Sequence, residues 1–211
     1  MIASYNPSQL GDVLIVVLRP DAAEQTTEVK GNVAKIADAS NGQALGFNIF
    51  NVSEVLPDIK DHNGQVYLDA ADVDKLNQVL QENGFSDQLT VDHDPKFVVG
   101  YVKSVEAHPK SDHLKITETE VDGGQTLQIV SGSPNMQADI KVVVAKVGTM
   151  MPSGLIIWPG ELKGVESDGM ICSGRELKIP NAPQKPGALI LPDDYQVGTK
   201  FDFAKAQGLF S

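Results

Sequence analysis

Cysteine is nearly missing: Cys172 is the one thiol in 211 residues. The chain therefore cannot form a disulfide framework or a cysteine-rich structural zinc site within itself. A reduced, cytoplasmic setting is the expectation. Long apolar runs are missing too. The longest near the start, residues 13–18, is strand-sized and far short of the roughly 20 residues that cross a bilayer. The first basic side chain, Arg19, follows that run instead of preceding it, against the order of a secretory signal. No membrane partner is expected. Cations are scarce, with 17 Lys and Arg against 28 Asp and Glu and a net charge of −11. A surface that grips nucleic acid by overall charge is excluded, so any such contact has to be local.

The usual catalytic signatures are also absent. There is no GxxxxGK[ST] phosphate loop, no GxGxxG, no GxSxG elbow and no HExxH. His108, Asp112 and His113 resemble a metal or acid–base group, but two imidazoles and one carboxylate without a further ligand are a thin version of a three-ligand site. His108 also precedes a proline in a turn. Neither an enzyme, nor a cofactor, nor a metal site is expected. Cys172 lies in an apolar stretch without a histidine partner and reads as a small buried hydrophobe.

What is present divides in two. Residues 1–96 hold 6 Lys and Arg against 15 Asp and Glu, net −9, whereas residues 97–211 hold 11 against 13, net −2. The polar stretch from Ser86 to Pro95 closes on a proline that disfavours helix before it. These features predict an acidic domain over 1–86, a linker over 87–96 and a second domain over 97–211. In the first, residues 12–19, 29–37 and 44–52 read as three strands, with Asn41-Gly42 turning the second into the third. Residues 69–83 switch to a helical period that aligns Val73, Leu76, Val79 and Leu80, and Gly84 stands where a helix stops. A small sheet covered by one helix buries that stripe.

The second half offers strands at 97–106, 114–121, 126–131 and 140–147, separated by His108-Pro109, Asp122-Gly123-Gly124 and Ser133-Pro134-Asn135. Short strands between Gly and Pro turns predict a barrel or sandwich, so the chain as a whole reads as α+β with an all-β C-terminal domain. Past Val147 no helix longer than a turn or two is expected, and residues 188–191 and 200–203 form a last pair able to close the barrel. The apolar segment 148–158, with Met150, Met151, Leu155, Ile157 and Trp158, reads as core in preference to interface.

Three segments occur in order: His108-Pro-Lys-Ser-Asp-His-Leu114, then Gln128-Ile-Val-Ser-Gly-Ser-Pro-Asn135, then Leu162-Lys-Gly-Val-Glu-Ser-Asp-Gly-Met-Ile-Cys-Ser173 with Glu176-Leu177. Together they resemble the tRNA-binding OB-fold domain of the phenylalanyl-tRNA synthetase β chain N-terminus, of methionyl-tRNA synthetase C-termini and of endothelial monocyte-activating polypeptide. The pattern there is close to HPxADKL, VxGAPN and LRGVxSxGMLCS. The resemblance covers about residues 97–205. With an acidic domain ahead that opens on Tyr5-Asn6 and residues 11–14, the architecture is similar to the stand-alone YtpR-type bacterial tRNA-binding proteins, which have no synthetase core.

An OB barrel offers the face of its early strands and the flanking loops to oligonucleotides. By the period of two, Tyr101 and Lys103 share one face of the first strand and Lys115 lies on the second. There the lysines would meet phosphate and Tyr101 a base, or all three are ordinary half-solvated side chains. Ser131 and Asn135 sit in a loop suited to a phosphate or base edge, or to a self-satisfied turn, and the resemblance favours contact at Asn135. Met170, after Ser167 and Gly169, could lie against a base or pack the barrel. Ser173 and Arg175 follow, and His113 and Lys163 complete the candidate RNA-binding set by the resemblance. Three places depart from the family: His113 replaces a lysine, Lys163 replaces an arginine and loses its bidentate fork, and Trp158-Pro-Gly-Glu161 falls where members often carry lysines.

Residues 97–150 carry five lysines against six carboxylates, so binding to tRNA or other structured RNA is expected to be weak, salt-sensitive and led by phosphate and shape. The competing reading is a protein-interaction or chaperone-like homodimeric barrel that no longer binds tRNA. It is favoured if Lys103, Lys115, Lys163 and Arg175 scatter. A homodimer is a possible assembly, and a protein partner is expected for the N-terminal domain.

Overall fold

The alternation in the first half is realised as sheet. A computed structural model describes residues 1–210 and divides the chain into one unit over Met1–His93 and a second that begins at Asp94. The chain is mostly β with few helices. In the first unit, β1 (Ile2–Tyr5) leads through a short α1 (Pro7–Leu10) to β2 (Val13–Val17). Then follow β3 (Gln25–Lys30), β4 (Val33–Asp38), β5 (Ala44–Phe50), β6 (Gly64–Val66) and α2 (Ala70–Glu82). The strands form one antiparallel sheet in the order β3-β4-β5-β2-β1-β6.

Two sequence expectations need correction here. The single strand read over 29–37 is a hairpin: Gly31 takes φ +54° and folds β3 back on β4, with Val29 opposite Ala34. A run of strand-forming residues conceals such a turn, because one glycine in the left-handed region reverses the chain without breaking the hydrophobic pattern. Second, β1 and β6 are unexpected; with the hairpin split they raise three strands to six. Both are short, at four and three residues.

The helix stands where its period placed it. Asp69 caps it by accepting from Asp72 N–H at 2.9 Å, with the Asp72 carboxylate reaching back to Asp69 N–H. Val73, Leu76, Val79 and Leu80 are buried against Leu14, Val16, Val33, Phe47 and Ile49 of the sheet. Residues expected to be linker take part in this unit: Asp87 pairs with Lys35 at 2.8 Å, and Leu89 is buried with its N–H held by Asn77 Oδ1 at 2.7 Å. A polar composition masked the one apolar anchor.

In the second unit, β7 (Phe97–Ala107), β8 (Lys115–Glu120), β9 (Thr126–Ser131) and β10 (Ile140–Ala145) fall close to the expected runs. Beyond them lie the pairs β11 (Thr149–Met150) with β12 (Ile156–Ile157) and β13 (Gly160–Leu162) with β14 (Val165–Ser167). The chain ends with β15 (Met170–Ile171), β16 (Ile190–Leu191) and α3 (Phe203–Ala206). The order β15-β10-β7-β8-β9 curls into a nearly closed barrel, consistent with an OB-like fold. Asp168 N–H to Gln128 O at 2.9 Å, with Gln128 Nε2 to Glu166 O at 2.8 Å, draws the last segment back onto β9.

β10 is buried on both faces. Val142 and Val144 point inward with Val98, Val102 and Ile129. Val143 and Ala145 pack outward under Cys172, Leu177, Leu191 and Phe201. Double burial explains why this strand reads as a continuous apolar run. β16 pairs with β10, so the expected closing strand is there at residues 190–191, whereas Lys200 makes only an isolated bridge to Val98. The segment 148–158 is mixed: Met151 and Ile157 are core, and Leu155 is 59% exposed.

The end of β10 is tied down by charge. Lys146, 8% exposed, donates to Asp94 and to both oxygens of Asp122 at 2.9 Å. Burial would raise the Asp94 carboxyl, but hydrogen bonds from Lys146 and Lys96 hold it below its ordinary 3.8. Lys146→Met should destabilise the second unit by about 2 kcal/mol in urea unfolding at neutral pH, less than a fully buried pair because both carboxylates keep contact with water. A carboxylate with a depressed folded pKa stabilises above its unfolded value and loses that contribution as pH falls through the folded one. The gap between wild type and variant should accordingly close as pH is lowered below 3.8.

Candidate functional site

A loop and a hairpin meet at one end of the barrel. The loop 108–114 joins β7 to β8, and the hairpin is β13–β14, turned by Lys163 at φ +49° and Gly164 at φ +89°. Two consecutive left-handed residues make the two-residue turn that suits the twist of a hairpin. His108 latches the two together. It is 3% exposed, its Nδ1 accepts from Lys110 N–H at 3.0 Å and its Nε2 lies 2.9 Å from Leu162 O. Since Nδ1 accepts, Nε2 carries the proton and donates. Both ring nitrogens are committed, which removes His108 from any acid–base or metal role.

The latch gathers charge. Lys163 Nζ donates to Ser111 Oγ at 3.2 Å across the loop–hairpin junction. Lys110 Nζ occupies the space over Gly164 that a Cβ would need, 2.9 Å from where that atom would stand. His113 is exposed and lies 2.9 Å from Asp112. The Asp112 carboxyl is held below its usual range by His113 first, then by a backbone hydrogen bond and the nearby Lys163 charge. Lys115 starts β8 at this end, opposite Ser131, with its ammonium on Met136 O at 2.7 Å.

Other expected residues lie elsewhere. Lys103 sits at a bulge in β7 and pairs with Glu120 at 3.2 Å, near Thr126, at the far ends of β8 and β9 from Lys115 and Ser131. Tyr101 donates to Asp139 at 2.7 Å, which raises its hydroxyl above its ordinary value, with burial and the Asp139 charge adding. Glu120 stands opposite Tyr101 and also holds Lys103, so the two residues stay around one side chain despite the bulge. Lys115 is at the other end of β8, so Lys103 and Lys115 do not share a patch.

The small polar residues divide by role. Ser167, 5% exposed, accepts from Val130 N–H at 3.0 Å and donates to Gly169 O at 3.2 Å, so it closes the barrel. Asn135 clamps Ala188, donating to its carbonyl at 2.9 Å and accepting from its N–H at 2.8 Å. Ser173 caps the turn after β15, with Glu176 Oε2 accepting from its N–H at 2.8 Å and its hydroxyl at 2.6 Å. Ser131, Ser133, Met170, Ser173 and Arg175 line one cleft of about 230 Å³. Lys110 was missed as a site residue; the sole hint was its place in the loop preceding the second strand. Cys172 is buried, and burial, with Glu176 nearby, pushes its thiol up to about 12. It is an inert packing residue.

Removing the latch should loosen the junction it holds. His108→Ala is expected to lower stability by about 1–3 kcal/mol, because Leu162 O and Lys110 N–H are left without it. Amide hydrogen exchange should rise over 108–114 and 160–165, with β9 and β10 unaffected. Unchanged exchange in those two segments would count against the latch.

The family described as "Putative tRNA binding domain" matches residues 97–200, and one described as a domain of unknown function matches residues 20–92. The "Putative tRNA-binding protein YtpR" of Bacillus subtilis is 48% identical over 204 residues, covering 96% of this chain and 100% of the relative. The phenylalanine–tRNA ligase beta subunit of Neisseria meningitidis serogroup A is 40% identical over 129 residues, 60% of this chain but 16% of that protein. A MetRS-related protein of solved structure from Pyrococcus horikoshii overlaps 50% of this chain and 87% of its own, at 18% identity and TM-score 0.37.

Proposed function

The chain belongs to the YtpR family, and from that membership we propose that it is a non-catalytic protein that binds tRNA through the latched end of its C-terminal barrel. The observation that carries the reading is the junction of loop 108–114 and hairpin 160–167, where Lys110 Nζ stands over Gly164 and Lys163 Nζ reaches Ser111 Oγ, neither in an ion pair among the described residues although Glu161 and Asp112 are near. Two ammoniums on neighbouring turns suit the phosphates of a folded RNA, and Lys115 adds a third charge at the same end. Phosphate and shape lead the recognition, because the outward residues of β8 and β9 include Glu118 and Glu120 and few side chains that could read a base edge. Three local cations in a chain of net −11 make the binding weak and strongly salt-dependent. The barrel is the tRNA-binding OB fold of the family, set in an α+β chain that works in the cytoplasm.

The N-terminal unit, where nearly all the net negative charge lies, is a poor RNA surface, and we assign it to a protein partner. Homodimer formation would set two latched junctions along one RNA. The chaperone-like alternative would draw on the separation of Lys103 from Lys115, but the presence of Lys110 and Lys163 at one loop–hairpin junction favours RNA.

Filter binding of bulk tRNA, with the full chain at low and near-physiological salt, tests this. Lys110→Ala/Lys163→Ala should weaken binding at least tenfold at low salt and reduce the log–log salt slope by about 1.5, close to one unit for each phosphate no longer neutralised. Lys103→Ala should stay within about twofold. Binding by the wild type that is tight and indifferent to salt, or unaltered in the double variant, would overturn the assignment.

A further inference from the structure

Beside the latched end lie two cavities that share a wall formed by Ser173, Pro186 and Gly187. They differ in chemistry. One, of about 230 Å³, is polar: Ser131, Ser133 and Arg175 face it. The other, of about 500 Å³, is lined by Pro134, Leu189, Ile190 and the Phe210 ring, with Lys185 also on its wall. Small-ligand sites are typically about 300–1,000 Å³ with few convergent polar groups, and the pair falls within that range.

The polar side holds unspent donors. Arg175 and Lys185 make no ion pair or side-chain hydrogen bond among the described residues, whereas Lys35, Lys103, Lys146 and Lys205 are each paired with a carboxylate. The other arginine, Arg19, donates to Ala44 O at 2.6 Å, whereas the Arg175 guanidinium has no hydrogen-bond partner among the described residues. Ser131, 5% exposed, accepts from Ser133 N–H at 3.2 Å and keeps its own proton free to donate. The one carboxylate on this wall, Glu176, is turned to the Ser173 cap and makes no ion pair with Arg175 among the described residues. The wall itself is rigid, since Asn135 grips the Ala188 backbone from both sides. Polar cleft, stiff wall and apolar cleft with an aromatic ring are the parts needed to hold a phosphate on one side and a base on the other.

We propose that these joined cavities hold one unstacked nucleotide of a single-stranded RNA segment, with its phosphate on Arg175 and the Ser131 and Ser133 hydroxyls and its base against Phe210 and the proline rim. The proposal rests on the reading of the chain as an RNA-binding protein, and adds that it distinguishes single-stranded from duplex RNA. A peptide is disfavoured because two unpaired cations flank the cleft in place of the open strand edge that a peptide uses.

Fluorescence anisotropy at low salt, with a labelled hexacytidylate and a blunt RNA duplex of equal phosphate number, separates the possibilities. The full-length wild type should prefer the single strand. Arg175→Ala, at an exposed position, should cost about tenfold against the hexacytidylate and less than twofold against the duplex. Phe210→Leu preserves apolar fill and should cost a comparable amount by removing the stacking ring. If neither variant changes binding, or both change the two RNAs equally, the nucleotide site is overturned. Competition by hexaglutamate as effective as by unlabelled hexacytidylate would assign the cleft to protein and overturn it too. Lys110→Ala/Lys163→Ala should weaken both RNAs; if it weakens neither while Arg175→Ala remains selective, the latched junction fails and the cleft stands.

Discussion

Burial of β10 on both faces is the constraint on which the second unit depends. Its inward side chains complete the barrel core, while its outward ones bury against the segment after β15, where Cys172, Leu177 and Leu191 lie. Five of its six residues serve the two cores, and the strand's backbone is paired along both edges, to β7 on one side and to β15 and β16 on the other. The segment from Ser173 to Leu191 has little regular structure of its own. It holds its course because the outer face of one strand gives it an apolar floor. The cleft that carries Arg175 is built on that floor.

Much of this was legible in the sequence, for definite reasons. Strands 7 to 10 announce themselves because Gly and Pro turns frame them, and the helix over 70–82 because four apolar residues recur at its period. The N-terminal sheet was half legible. A reversal on a single glycine leaves no mark in a hydrophobic pattern, and strands of three or four residues fall below the length at which alternation can be recognised. The candidate site was less legible still. Alternation assigns a residue to a face and not to a position along the strand, so it could not foresee that Lys103 and Lys115 stand at opposite ends of β8. Ser167, Asn135 and Ser173 carry the motif, yet their polar atoms are spent on Val130, Ala188 and Glu176. Residue type alone does not distinguish a hydroxyl that meets a ligand from one that closes a barrel, because both are small, polar and next to glycine.

Charge is distributed economically. Where cations serve the fold they are matched: Lys146 between two aspartates, Lys35 on Asp87, Lys205 on Asp194. Lys110, Lys163 and Arg175, which make no ion pair among the described residues, stand at the latched end and the adjoining cleft. His108 performs the corresponding service without charge, spending both ring nitrogens on backbone so that two like-charged ammoniums can be held on neighbouring turns. A neutral latch costs nothing in repulsion there, which a third cation would.

The hairpin at Gly31 leaves β3 at the rim of its sheet with all six residues exposed. An open strand edge invites further strands, and a chain with such an edge is prone to extend its sheet strand by strand through backbone hydrogen bonds. Here the rim carries Glu28 and Lys30, 2.9 Å apart and both largely in water, beside Val29. Any strand adding there would have to strip water from two ionised groups for one exposed valine in return. The N-terminal sheet thus has a guarded border along β3.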